Sequence, residues 1–359
     1  MKNKVFIIAE AGVNHNGVLK NAYRLVDLAL EAGADAVKFQ TFNVDRLLTK
    51  RAELCSYQKT NSVISTQFDL LKPLQLKYSD FLKISDYCKK KNIEFMSTAF
   101  DVDSLSFLVN EIKIKRIKIP SGEIVNPFLL LHASRSNLPI IMSTGLSNLK
   151  EIQWALKIIF YGFFVKKKMP KKADLNNYFN KKNLMEVLKK NKLAILHCIS
   201  EYPALPENSN LKAMINLNKK FSLPIGLSDH STQREVPLSA VAMGASIIEK
   251  HITLNKKMKG PDHKASLSCS EFKEMVKSIR LIESILGSSV KKPSSIEMKN
   301  KNSIRGSLVA SKKISIGEKF TWDNIAVKRP GDGLNPRNLF DIIGRKSKYN
   351  FLENDQIKK

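Results

Sequence analysis

Along the first four-fifths of the chain, apolar runs of seven or eight residues alternate with longer stretches whose apolar residues recur every third or fourth position. The short runs are VFIIAEAG (5–12), DAVKFQT (35–41), IEFMSTA (93–99), RIKIPSG (116–122), PIIMSTG (139–145), LAILHCIS (193–200), PIGLSDH (224–230) and IIEKHITL (247–254). Their length and β-branched content predict buried strands. The stretches between them, such as NAYRLVDLALEAGA, YSDFLKISDYCKKK, NLKEIQWALKIIF and REVPLSAVAMGA, carry a helical period, and SEFKEMVKSIRLIESILG follows the eighth run. Eight strands alternating with helices predict an α/β fold of the (β/α)8 TIM-barrel kind. An open doubly wound sheet more often has Gly-x-Gly-x-x-Gly after its first strand, whereas this chain has Glu-Ala-Gly-Val-Asn-His-Asn-Gly.

Two insertions break the rhythm. Residues 43–78 follow the second strand, and a barrel places such a connection at its active-site rim. Residues 161–192 are strongly basic and lead into the sixth strand, which places them at the opposite end as a solvated excursion. Residues 288–304, polar and lysine-rich, read as a linker between a catalytic domain (1–287) and a small β-rich domain (305–359) with Gly, Asp-Asn and Pro-Gly turns.

Composition narrows the functional classes. The chain has 359 residues, 43% of them hydrophobic, enough for one large domain and a small one. No apolar stretch is long enough to span a membrane. The run after the basic start MKNKVFIIAE stops at Glu10, too soon for a signal peptide. Cys55, Cys88, Cys198 and Cys269 form no Cys-x-x-Cys pair and read as reduced thiols, so a cytoplasmic protein is expected. The formal net charge of +27 comes mostly from lysines spread along the whole chain. That distribution reads as a solvated lysine-coated surface, suited to small anionic substrates, rather than as a nucleic-acid interface.

Strand side chains alternate faces, so parity locates the chemistry. Ile247, Glu249, His251 and Thr253 share one face; Gly226, Ser228 and His230 share another. Lys38 lies with Gln40, Met96 with Thr98, Ile8 with Glu10, and Cys198 with Ser200 and Tyr202. Polar residues gather at the C-terminal ends of the strands, where barrel enzymes build their sites. His230 and His251, on neighbouring strands, could hold a divalent metal as neutral imidazoles, although a single histidine is more often a satisfied core residue than a ligand. Glu10 and Asp262 could supply a carboxylate ligand or move a proton, or simply pair with lysines. Lys38 and Lys118, with Thr98, Ser121, Ser143 and Ser228, suit a small phosphate-bearing anion. Two buried lysines without an anion would repel each other. Asn14-His15-Asn16-Gly17 predicts a turn that could add donors to the mouth.

The strings IIAEAGVNHNG, AVKFQTF, STAFD, IKIPSGEI, STGLS, LHCISEYPA, GLSDHS, IIEKHITL and GPDHKASL, taken in order, closely resemble the sialic acid synthase family, including legionaminic acid synthases. RGSLVA followed by KRPGDGLNP resembles the antifreeze-like (SAF) domain that ends those enzymes. The resemblance implies a metal-dependent condensation of phosphoenolpyruvate with the open-chain form of an acylated hexosamine, giving a nine-carbon 2-keto acid and phosphate. It implies His230 and His251 as ligands of manganese, magnesium or cobalt, and Lys38, Thr98, Lys118, Ser121, Ser143 and Ser228 as the phosphoenolpyruvate cage. It further implies Gln40, Tyr202 and Asp262 as sugar-binding residues, Glu10 as the carboxylate beside metal and aldehyde, and Glu123 in proton transfer. Arg305 matches an arginine that, in the family, reaches the sugar's acyl group in the partner's pocket, which implies a domain-swapped homodimer. Gly306 departs from the second basic residue common there.

N-acetylmannosamine, giving N-acetylneuraminate, is the first expectation for the sugar. The alternative is a 2,4-diacetamido-2,4,6-trideoxymannose giving N,N'-diacetyllegionaminate, and a pseudaminate synthase ranks below both. A metal-dependent barrel hydrolase often carries His-x-His after its first strand, whereas here His15 is flanked by Asn14 and Asn16. A carbohydrate-binding or ice-binding reading of the last 55 residues leaves the two lysines unexplained.

Overall fold

The computed structural model describes residues 4–61 and 66–358. All eight apolar runs form strands: β1 (Phe6–Gly12), β2 (Ala36–Thr41), β3 (Glu94–Ala99), β4 (Ile117–Ile119), β5 (Ile140–Ser143), β6 (Leu193–Cys198), β7 (Ile225–Asp229) and β8 (Ile247–His251). They pair in parallel and in sequence order, and β8 closes onto β1, so the sheet is a barrel without edges. The amphipathic stretches form its outer helices, among them Leu19–Glu31, Tyr78–Lys91, Leu149–Phe164, Glu235–Ala242 and Cys269–Ile285. Leu149–Phe164 and Cys269–Ile285 each begin with a reciprocal capping box, Asn148 with Glu151 and Ser268 with Glu271.

Parity divides the core. Outward-facing residues such as Ile7, Val37 and Phe39 pack with helix residues Leu25, Phe81, Ile84 and Phe272 in the main apolar shell. Ile8, Ala36, Met96, Ile141, Leu196 and Ile247 form a separate plug inside the barrel. The plug dries out the barrel floor, so polar residues further along the same strands face a closed-bottomed cup.

The insertion at 43–78 includes the short helices Val44–Leu47 and Gln67–Leu71 and stands at the mouth, where Cys55 and Ser56 border the main cavity. The basic excursion is less solvated than its lysines suggest. The helix Leu149–Phe164 runs into it with Tyr161 and Phe163 buried, and Leu175, Tyr178, Phe179, Leu184 and Leu188 pack against the shell. Its apolar side is masked in sequence by the lysines between those residues.

Residues 1–287 and 288–359 form two compact units. Within 288–304, read as a linker, Ser295–Ile304 is a helix capped by Ser294 and Glu297 with no buried residue. Without an apolar stripe it has no periodic signature. In the small unit β9 (Ser307–Ala310) and β10 (Ile325–Lys328) pair antiparallel around a core of Leu308, Ile314, Phe320, Ile342, Phe351 and Ile357. Among the described residues no helix is long and apolar enough to cross a membrane.

Candidate active site

Register brings the polar strand ends together. Glu10 on β1 lies beside Lys38 on β2 and His251 on β8; Thr98 lies beside Lys118, Cys198 beside Ser228, and Ser228 beside Glu249. These residues line a cavity of about 620 Å³ at the C-terminal ends of the strands, within the range of ligand sites. Of the barrel residues expected at the site, Glu123 and Asp262 line a neighbouring lobe and the rest line this cavity. Arg305 belongs to the small unit, where it caps the helix Ser295–Ile304.

Lys38 and Lys118 are 3% exposed, yet neither stands uncompensated. Lys38 Nζ sits 2.5 Å from Glu10 Oε2 and 3.5 Å from Glu249 Oε2; Lys118 Nζ sits 3.2 Å from Glu249 Oε1. The expectation that the pair would repel itself without a bound anion is therefore corrected: Glu249 bridges the two ammonium groups. Lys38 also donates to Thr98 Oγ1 (3.0 Å), Lys118 to Ser143 Oγ (2.8 Å), and Ser228 Oγ to Glu249 Oε1 (2.8 Å). Both lysines and three of the expected hydroxyls thus form one connected network.

The two buried carboxylates are driven apart in acidity. Burial raises Glu10 to about 7; Lys38 opposes the rise and Glu249 adds to it. Burial acts on Glu249 in the same sense, but Lys118, Lys38 and the Ser228 hydroxyl hold it down at about 2. Glu249 is thus the fixed counter-charge, while Glu10 can exchange a proton near neutral pH. Burial also lowers Lys118, only partly offset by Glu249. An arriving anion would meet an ammonium group with spare attraction.

The imidazole pair lies on the same rim. Ring centroids of His230 and His251 are 5.4 Å apart, and Tyr202 stacks on His230 at 4.0 Å. His230 Nδ1 lies 2.6 Å from the Ile199 carbonyl, which takes its proton and leaves Nε2 as the free lone pair. His251 is held neutral: burial, together with His230 and Lys38, pushes its pKa well below the ordinary value. Its buried Nδ1 has no hydrogen-bond partner among the described residues and stands 3.9 Å from Asp262 Oδ2. Imidazoles that share one ion at about 2.0–2.1 Å have centroids roughly 4.5–5.5 Å apart, so this pair fits a divalent ion. Among the described residues no three His, Cys, Asp or Glu side chains already surround one point; the pair alone would leave ligand positions open.

Glycines keep the cup tight. Gly12 has a left-handed φ of +50° at the bulge ending β1, and a Cβ there would sit 3.2 Å from Glu10 Oε1 and 3.3 Å from Gln40 Nε2. At Gly145 a Cβ would fall 2.4 Å from Ser200 Oγ and 2.8 Å from Ser121 Oγ, whose hydroxyl accepts from the Gly145 amide. Gln40 Nε2 donates to Glu10 Oε1 (3.2 Å). Asn14–Gly17 is a turn as expected, but the donor Asn14 Nδ2 is committed to the Ile252 carbonyl and Ser266 Oγ, tying β1 to the end of β8 rather than serving the mouth as a donor. Asp262 is buried and raised to about 6 by desolvation, against the pull of His230 and Lys38. Glu123 accepts from Asn126 Nδ2 at 2.7 Å, and burial raises it too.

Glu249 is the site residue that the sequence reading left without a role. Parity already put it on the His251 face, and the need to neutralise two lysines was the signal that would have picked it out. The cup, the lysine–carboxylate network and the imidazole pair make up the mouth of a barrel of the enzyme kind. Residues 25–291 match the NeuB family and residues 305–359 the SAF domain; the chain belongs to the NeuB family, that of the sialic-type acid synthases. It is 42% identical over 348 residues to the N,N'-diacetyllegionaminic acid synthase of Legionella pneumophila, covering 96% of this chain and 91% of that one. Identity to the enzyme of the same name from Campylobacter jejuni is 40% over 356 residues, 99% of each chain. Among solved structures, the N-acetylneuraminic acid (sialic acid) synthetase of Leptospira borgpetersenii matches with a TM-score of 0.68 and 35% identity, over 84% of this chain and 93% of that one.

Proposed function

We propose that the chain condenses phosphoenolpyruvate with an acylated hexosamine, and that the sugar is the 2,4-diacetamido-2,4,6-trideoxymannose whose product is N,N'-diacetyllegionaminate. The first expectation, N-acetylmannosamine to N-acetylneuraminate, gives way, because the two curated relatives at 42% and 40% identity are both N,N'-diacetyllegionaminic acid synthases. The observation that carries the reaction is the pair of buried ammonium groups, Lys38 and Lys118, fixed in one cavity with the imidazoles of His230 and His251.

In this reading the two lysines, with Thr98, Ser121, Ser143 and Ser228, hold the phosphate and carboxylate of phosphoenolpyruvate. Gln40, Tyr202 and Asp262 orient the sugar so that its aldehyde carbon faces the enol carbon. The enol carbon bonds to the aldehyde carbon, whose oxygen takes up a proton to become the product's C4 hydroxyl; water adds at C2, and the C2–O bond to the phosphate breaks as the new C2 hydroxyl gives up its proton and becomes the keto group, releasing inorganic phosphate. Glu10, poised near 7, takes the proton of that water, and the lysines stabilise the departing phosphate. His230 and His251 would hold a divalent ion, manganese in preference to magnesium or cobalt, which when bound supplies Lewis acidity at the aldehyde oxygen. A partner subunit's small domain would supply its arginine, at the position of Arg305, over the acyl group. Four cysteines without a Cys-x-x-Cys pair and a phosphoenolpyruvate substrate support a cytoplasmic setting for the reaction.

The test is phosphate release from phosphoenolpyruvate with manganese and a panel of acylated hexosamines, with product mass read alongside. Turnover should be greatest with the diacetamido-trideoxy sugar. The His251→Ala protein should lose manganese binding by calorimetry while keeping its circular dichroism. No phosphate release with any sugar, or full activity after metal stripping, would overturn the proposal.

A further inference from the structure

A second lobe of about 270 Å³ opens off the main cavity and shares Gln40, Phe100, Tyr202 and His251 with it. Its floor is polar, with Asp262 and Glu123, and the 43–78 connection adds Gln58 and Gln67, of which Gln58 Oε1 accepts from the Cys55 amide (2.9 Å) and Gln67 Nε2 donates to the Glu53 carbonyl (2.8 Å); beside these amides Leu47, Leu48, Leu71 and Phe100, none of them fully buried, make an apolar stretch of wall. That stretch of wall is backed by packing. Val13, Phe42, Val44 and Leu74 form a buried cluster against which these side chains pack, Val13 and Phe42 also lining the lobe, and Phe42 meets Phe100 edge to face at 6.2 Å. The connection is pinned as well. Asn43 Oδ1 caps the helix Val44–Leu47 through the Asp45 amide (3.0 Å), and the Val44 amide donates to Gln75 Oε1 (3.0 Å). A packed apolar stretch, part-open and adjoining a polar site, has no evident use in the handling of phosphoenolpyruvate.

We infer that this lobe is the subsite for the C4–C6 end of the sugar, with Leu47, Leu48 and Leu71 taking the methyl of a 4-acetamido group and the C6 methyl of a 6-deoxy sugar; this rests on the reading proposed above. The lobe adjoins the aldehyde end of the site through His251 and Gln40, so a hexose spans the two. A sugar with hydroxyls at C4 and C6 would turn them toward leucines that offer no hydrogen-bond partner. A sugar with methyl groups there removes apolar surface from water on both sides. A methyl-sized difference in an apolar pocket discriminates by about 10–200-fold, which is enough to set the substrate.

The experiment uses the full chain loaded with manganese. It compares kcat/KM for 2,4-diacetamido-2,4,6-trideoxymannose and for N-acetylmannosamine in the unmodified protein, Leu48→Asn, Leu71→Asn and Leu48→Met, with KM for phosphoenolpyruvate measured in each. If N-acetylmannosamine is not turned over, its inhibition constant takes the place of kcat/KM. Each Asn variant should lower the ratio of the two sugars at least ~10-fold and leave KM for phosphoenolpyruvate unmoved, and Leu48→Met should retain the ratio. An unchanged ratio in both Asn variants, with the unmodified protein active, overturns the subsite and leaves the proposed function standing. An unmodified protein that uses no acylated hexosamine overturns both.

Discussion

Replacing Glu249 by Gln keeps the shape and the Ser228 contact but removes the charge that bridges Lys38 and Lys118. The Coulomb attraction across 3.2 Å to Lys118 is about 5 kcal/mol at an effective dielectric of about 20. Burial of the carboxylate takes part of that back. The net is read from its acidity: a fall from 4.5 to about 2 corresponds to roughly 3 kcal/mol in favour of the ionised form. Lys38 is protected from the full loss: burial still raises Glu10, but the repulsion that Glu249 adds to it disappears, so Glu10 ionises more readily against Lys38. Lys118 bears the cost. Stripping a buried pair of one partner costs about 3–5 kcal/mol, so Glu249→Gln should lower Tm by roughly 5–10 °C for a domain of this size.

The ligand response separates this account from a general packing defect. With Glu249 neutral, the empty cup holds excess positive charge, and phosphoenolpyruvate should raise Tm by more in the variant than in the unmodified protein. Adding Lys118→Met, which removes the stranded cation, should recover much of the lost Tm while abolishing the enlarged ligand response. The assay is thermal unfolding with and without saturating phosphoenolpyruvate. A Tm within 1 °C of the unmodified protein, or a ligand shift no larger than before, would refute the bridging-carboxylate reasoning.

Three further outcomes follow from the same structure. Lys250, fully buried, is paired with Asp229 and the Ser231 carbonyl on the outer face of β7 and β8; Lys250→Met should cost about 3–5 kcal/mol in denaturant titration, and the double variant with Asp229→Asn should regain most of it. Asp35 accepts from the Ile7 amide (2.9 Å) and pairs with Arg280 (2.7 Å); burial alone would raise its pKa, but Lys4, Ile7 and Arg280 hold it below the ordinary value. Its stabilisation is therefore full above an unfolded pKa of about 3.9 and lost as pH falls through the folded one, so the Tm deficit of Asp35→Asn should be present at neutral pH and shrink in acid; a pH-independent deficit would contradict the assignment. If Arg305 acts across subunits, inactive Arg305→Ala and His251→Ala proteins, mixed with subunit exchange, should regain about a quarter of normal activity, since half the dimers would be mixed and each would hold one complete site; no recovery would place the arginine within its own chain's site.

The barrel was legible because two signals alternate along the chain: short continuous apolar runs that became β1–β8, and a helical period between them. The polar mouth was legible because strand parity survives into three dimensions, which is why Lys38, Lys118, His230 and His251 meet where they were expected. Legibility ended where no period operates. The helix Ser295–Ile304 buries nothing and so leaves no stripe. The leucines of 43–78 lie on short helices and turns, and nothing in their spacing says that they would wall a lobe of the site. Asn14 looked available to the mouth because a turn does not reveal which way its side chains are committed.

Glu249 and Lys250 show what parity can and cannot decide. Consecutive residues of one strand must face opposite sides, so one ionisable group had to enter the cup and the other had to meet the helices. Lys250, sent outward into an apolar shell, could persist only with a carboxylate beside it, and its register partner on β7 is Asp229. Glu249, sent inward, pairs in register with Ile8, at the level of the apolar plug and one step below His251, which pairs with Glu10. Depth along the barrel axis depends on the stagger between strands, and a single sequence does not carry that stagger. Parity therefore placed the carboxylate on the right face, while the barrel's geometry sank it to the level where two lysine chains, reaching down from β2 and β4, could both close on it. The cup's positive charge is held in check by the strand that also supplies one of its imidazoles, so an anion entering this site competes with Glu249 for the two lysines.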